Sequence, residues 1–139
     1  MEYEQQGDNA SSLQFFEKCL EMAQRVEDTD KEAECYQQIA NIYELSGDMH
    51  NAIEYLNKFQ DICIASKNTE KLTTAYKRLS EVESKNGNVP RAIEMLQRVL
   101  GFANQGGSRA AQAEATLGLG LLFNQEGPKY NIKLAADYL

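Results

Sequence analysis

When the chain is slid over itself by forty residues, one set of residue types after another falls into coincidence, and this internal repeat limits the possible folds more than any other feature. Tyr36 meets Tyr76, Gly47 meets Gly87, Ile39 meets Leu79, and Ala52-Ile53-Glu54 meets Ala92-Ile93-Glu94, with Leu56 on Leu96 and Lys58 on Arg98. The same offset carries Tyr43, Gly47 and Asp48 back onto Tyr3, Gly7 and Asp8, and Ile53 and Leu56 onto Leu13 and Phe16. One period later Phe123 and Gly127 continue the series. Ala135 to Leu139 then matches Ala52 to Leu56 only with about three residues inserted after Gly127, which predicts a longer fourth turn through Tyr130.

Within a unit, the apolar positions Tyr36, Ile39, Ala40 and Tyr43, then Ala52, Ile53, Leu56, Phe59 and Cys63, recur at three- and four-residue steps. That spacing describes the buried stripe of an amphipathic helix, and strand alternation is absent. Gly7, Gly47, Gly87 and Gly127 stand where the first helix of each pair is expected to stop. Thr29 followed by Glu32 has the pattern of a capping box, and Asn88 with Pro90 suits a helix start. Links are expected at residues 27–30, 67–69 and 105–108. The reading is an all-α solenoid of antiparallel helix pairs. It comprises a partial repeat at 1–28, repeats at 29–68 and 69–107, and a partial repeat at 108–139. Gly101 is a glycine inside a helix, where it costs about 1 kcal/mol relative to alanine.

Composition narrows the function. With 14 Lys and Arg against 21 Asp and Glu, the chain carries a net charge of −7 and repels a phosphate backbone, so nucleic acid is not expected as a partner. No apolar run approaches the roughly 18 residues of a membrane span, and the first residues lack the features of a signal peptide, so no membrane partner and a cytoplasmic location are expected. Cys19, Cys35 and Cys63 are odd in number and scattered, which suits small buried side chains in a reducing compartment rather than ligands. His50 is the one histidine. Carboxylate pairs such as Glu32 with Glu34 and Glu81 with Glu83 lie two apart on a helix and point in different directions. Gly118-x-Gly120 has no strand before it, so close helix packing explains it better than a phosphate loop. No catalytic residue, metal site or cofactor is read, and an enzyme is not expected.

The landmarks Tyr36, Ile39-Ala40, Tyr43, Gly47, Ala52 and Leu56 resemble those of the tetratricopeptide repeat, as do Tyr76, Leu79-Ser80, Gly87, Ala92 and Leu96, with Glu83 where that family has an aromatic residue. The fourth unit offers Leu119-Gly120, Phe123 and Gly127. The forty-residue period is similar to the long repeats of Leu-Gly-Asn spindle-orientation adaptors, which Ile39-Ala40-Asn41-Ile42-Tyr43 resembles, and to the arrays of flagellar axonemal proteins.

The resemblance implies a right-handed superhelix whose first helices line a groove that binds other proteins. Carried onto this sequence, the groove positions are Glu34, Gln37, Asn41 and Glu44, then Thr74, Lys77, Glu81 and Lys85, then Glu114, Leu117, Leu121, Asn124 and Gln125. Asn41, which both donates and accepts, either grips a peptide backbone or is simply solvated. Leu117 and Leu121 either form an apolar docking patch or pack beneath the fourth turn. Lys77 is followed at groove spacing by Glu81 rather than by the Asn that a chaperone-type carboxylate clamp needs. The function implied is a scaffold in a cytoskeletal, ciliary or flagellar assembly, or alternatively a peptide-clasping adaptor of the spindle-orientation or chaperone type. Phe15, Phe16, Leu134, Tyr138 and Leu139 are expected to be only partly covered at open ends, where the chain can self-associate.

Overall fold

The computed structural model describes the backbone of residues 2–126 and the side chains of residues 8–124. Six helices fill that stretch: α1 (Glu2–Arg25), α2 (Thr29–Leu45), α3 (Met49–Ser66), α4 (Thr69–Lys85), α5 (Val89–Gly106) and α6 (Arg109–Glu126). No strand occurs among the described residues. α2 and α4 begin forty positions apart, at Thr29 and Thr69, as do α3 and α5, at Met49 and Val89. α6 continues the series at Arg109.

One joint connects every helix to the next, and it recurs every twenty residues. Its first residue has a left-handed backbone: φ is 57° at Glu27, 86° at Gly47, 57° at Lys67, 85° at Gly87 and 70° at Gly107. The residue after it caps the following helix. The side-chain oxygens of Asp28, Asp48, Asn68, Asn88 and Ser108 accept from the backbone N–H groups of Lys31, Asn51, Lys71, Arg91 and Ala111, at 3.1, 3.1, 3.0, 3.4 and 3.2 Å. At the first four joints the same residue also closes the helix behind it. Asp48 donates its N–H to the Tyr43 carbonyl at 2.8 Å while Gly47 donates to Glu44 at 3.1 Å, and Asn88 donates to Glu83 at 2.9 Å while Gly87 donates to Ser84 at 3.1 Å. Carbonyls left open by one helix and N–H groups left open by the next are thus satisfied by two adjacent residues.

Two expectations are corrected by this arrangement. The cap before α2 is Asp28 rather than Thr29, which is already helical, so the capping-box spacing pointed one residue too far along. The helix end expected at Gly7 does not form, because α1 runs unbroken through it to Arg25. A glycine within a longer helix costs only about 1 kcal/mol, so continuation is favoured.

Contacts gather in two bodies, Met1–Ala75 and Tyr76–Leu139, each with its own core. In the first, α2 packs on both α1 and α3. Ala33, Tyr36, Phe59, Cys63 and Ala75 are buried together, with Leu20, Tyr55, Ile62 and Leu72 against them. The Tyr55 ring lies 5.7 Å from Tyr43 and 6.1 Å from Tyr36, centroid to centroid. In the second body α5 packs on α6 around Val89, Ala92, Ile93, Leu119 and Leu122. Tyr76 stacks on Phe102 at 6.0 Å, and the Ser80 hydroxyl donates to the Ala92 carbonyl at 3.0 Å. A Cβ on Gly118 would stand 2.9 Å from Leu96 Cδ1, so this glycine does serve close helix packing. Gly101 and Gly120 face open space, and Gly101 is tolerated on an exposed face.

The joints predict opposite signs at equivalent positions. Gly87→Ala places a Cβ on a left-handed backbone and should destabilise the chain by about 1 kcal/mol, whereas Lys67→Gly should stabilise it by roughly 0.5 to 1 kcal/mol. Urea denaturation of the two variants beside the parent chain checks both signs.

Candidate interaction site

In the second body, α4 and α6 leave a groove floored by Leu96 of α5. It consists of two adjoining hollows of about 200 and 310 Å³ that share Ser80, Glu81, Leu96 and Gly118. Lys77, Glu81 and Lys85 stand four residues apart along the α4 wall and so share one face. The α6 wall brings Glu114, Leu121 and Leu122. Lys77 Nζ reaches Glu114 at 3.5 Å across the mouth, and Arg78 holds Glu81 at 2.9 Å from within α4. Both pairs are largely solvated and contribute at most about 1 kcal/mol each, so they set the polarity of the rim more than its stability. Leu117 and Leu121, one turn apart on α6, are 66% and 59% exposed. Large apolar side chains this exposed and this close form a patch of the kind that marks contact surfaces.

The first body has a different concavity, a cleft of about 580 Å³ around Phe59 lined by Asp28, Asp30, Lys31, Ala33, Glu34, Gln37, Gln38 and Lys71. Lys71 reaches Asp30 and Lys31 reaches Glu34, each at 3.5 Å. This cleft is polar and nearly balanced in charge.

The candidate residues therefore divide. Lys77, Glu81, Lys85 and Leu121 come together in the α4/α6 groove, with Leu117 exposed on the same helix as Leu121. Glu34 and Gln37 line the first body's cleft, while Asn41 is exposed on α2 and lines neither concavity. Thr74 and Asn124 are exposed. Glu44 departs from the expected groove set because it is buried, at 8% exposure. The Gln125 side chain, like Leu134, Tyr138 and Leu139, lies outside the described residues. Ser80, Leu96 and Gly118 were missed as groove residues. The signal for Gly118 was a glycine pair inside an apolar helix, legible as close packing but not as the edge of a groove.

Titratable groups are perturbed at a few core positions. Glu83 is buried at the repeat position of Tyr43, and burial pushes its carboxyl above the usual glutamate range, while Arg91 and a hydrogen bond with Asn88 pull it down. Burial likewise raises the Cys35 and Cys63 thiols, which disfavours the thiolate that cysteine chemistry requires. Asp48 moves the other way, held below the usual carboxylate range by the backbone and side-chain N–H groups of Asn51. Among the described residues no group of three His, Cys, Asp or Glu side chains is placed to hold a metal ion, and no helix is long and apolar enough to cross a membrane.

These shifts fix two pH slopes of opposite sign. Glu83 has a raised folded value, so its contribution is full below the unfolded value and declines as pH rises through the folded one. The Asp48 contribution is present above the ordinary carboxylate value and is lost as pH falls through its depressed one. Glu83→Gln should therefore raise the thermal midpoint at neutral pH and remove the decline just above the ordinary glutamate range, as calorimetry across pH 3 to 8 would show.

A tetratricopeptide-repeat family model matches residues 3–65, which takes in all of α2 and nearly all of α1 and α3. Among solved structures, the chain is similar to the nearly identical tetratricopeptide-like repeats ascribed to a kinesin light chain of Podosopora anserina, with a TM-score of 0.70 and 16% sequence identity. The match covers 88% of this chain and 61% of that one. No curated protein matches. The fold class is thus the α-α superhelix of tetratricopeptide-like helix pairs.

Proposed function

We propose that this chain is a non-catalytic protein-interaction scaffold whose α4/α6 groove receives a segment of a partner protein. The observation that carries this reading is the groove itself: an apolar floor at Leu96, exposed Leu121 on one side with Leu117 exposed one turn before it on the same helix, and the alternating charges of Lys77, Glu81 and Lys85 on the other. Covering one exposed leucine contributes roughly 1.5 to 3 kcal/mol, which gives the patch its affinity, and the charged wall gives it orientation. The family match at residues 3–65 and the repeat fold support the same reading, since stacked helix pairs offer extended surfaces for other proteins. A cytoskeletal assembly is the setting we favour, on the similarity to the kinesin light chain repeats. The chaperone-type clasp is disfavoured, because the position one turn after Lys77 is Glu81, whose charge opposes a partner carboxylate.

Partner capture from cell extract with the parent chain, with a Leu117→Asp, Leu121→Asp variant, and with an Asn41→Ala, Lys77→Glu variant tests the assignment. Partners of the groove should fall about a hundredfold with the leucine variant, the equivalent of roughly 3 kcal/mol, at an unchanged thermal midpoint. An identical partner list from all three chains would remove the groove from the function.

A further inference from the structure

Two of the three cysteines face each other across the first helix pair. α1 and α2 run antiparallel from the tight joint at Glu27 and pack on one another, so residues equally far to either side of that joint lie opposite, and Cys19 and Cys35 are each eight positions from it. The later repeats show what stands at this crossing. Forty residues on, Cys19 and Cys35 correspond to Phe59 and Ala75, which are buried in one core cluster, and eighty residues on to Val99 and Ala115, which line one hollow. There a large side chain meets a methyl group across an antiparallel pair; at the first crossing two thiols take their places. An electrostatic detail agrees: burial is the chief cause that raises the Cys35 thiol, and the next is the charge of Cys19, a like-charge effect that requires the two sulfurs to be close. Cys63 stands elsewhere. It holds the repeat position of Ala23, one turn beyond that of Cys19, and after burial the group that acts on its thiol is Lys71 of α4.

We propose that Cys19 and Cys35 form a reversible disulfide that locks α1 onto α2 when the chain meets a hydroperoxide. Cys19 is the partly exposed member of the pair, while Cys35 is buried at 6% exposure, so the oxidant reaches Cys19 first. The Cys19 sulfur attacks one oxygen of hydrogen peroxide and the O–O bond breaks. Cys19 becomes a sulfenic acid, and the other oxygen leaves as water with the thiol proton. The Cys35 sulfur then attacks the Cys19 sulfur and expels its hydroxyl, which leaves as a second water with the Cys35 proton. Two thiols have given up two electrons and two protons, and one peroxide has become two waters. A sulfenic acid is neutral, so the charge that opposed a Cys35 thiolate is gone at the moment Cys35 must attack, and Lys31, one turn before it, acts in the favourable direction. A thiol reductant reverses the bridge by exchange.

The test treats the dilute intact chain with hydrogen peroxide, unfolds it and labels the remaining thiols with N-ethylmaleimide. By mass, the oxidised chain should be two hydrogens lighter and take up one label in place of three, and peptide mapping should join Cys19 to Cys35. Closing the loop through residues 20–34 should raise the thermal midpoint by roughly 10 °C, and dithiothreitol should return it. Cys63→Ser should leave the bridge intact, whereas Cys19→Ser and Cys35→Ala should each remove it. The alanine variant should fold, since Ala75 and Ala115 hold that position in the later repeats. The proposal is overturned if all three thiols still take label, if Cys19 runs on to sulfinic acid without a bridge, if the bridge includes Cys63 or joins two chains on a non-reducing gel, or if the bridged chain melts no later than the reduced one.

Discussion

The structure depends on a shared hydrogen-bonding residue. At each joint a left-handed residue turns the chain and its successor opens the next helix with its side chain, and at the first four joints that successor also closes the helix behind it with its N–H. This arrangement leaves no loop to order, so the entropy that a longer connection would add to folding is absent. It also fixes the phase of each helix against the next. The tyrosines of α2 consequently meet Tyr55 of α3, and Tyr76 of α4 meets Phe102 of α5, without further adjustment.

The helix pairs and their period were legible because Gly47 and Gly87 mark joints openly, and because apolar residues at three- and four-residue steps fit only one secondary structure. The twenty-residue rhythm was hidden because two joints carry Glu27 and Lys67 at a backbone angle that favours glycine, so composition gave no cue. Asp28 was overlooked for a related reason: Thr29 beside it is also a good capping residue, and sequence spacing alone does not choose between neighbours. Gly7 misled because a glycine marks a place where a helix can end, while packing decides whether it does.

The groove was partly legible. Lys77, Glu81 and Lys85 follow from helical spacing, and Leu117 and Leu121 from their outward phase on α6. Its floor was not, since Leu96 belongs to the second helix of its pair and its repeat mate Leu56 is almost wholly buried. Glu44 shows the limit in the other direction. An outward phase on one helix does not guarantee exposure once neighbouring helices are in place.

The meeting of Gly118 with Leu96 has a consequence for what the groove can accommodate. A single methyl added at Gly118 would crowd the Leu96 side chain that forms the floor, so the side chain or the helix above it would have to shift. The width of the slot is thus tied to the missing Cβ of Gly118, and so to helix spacing as much as to the side chains that line it.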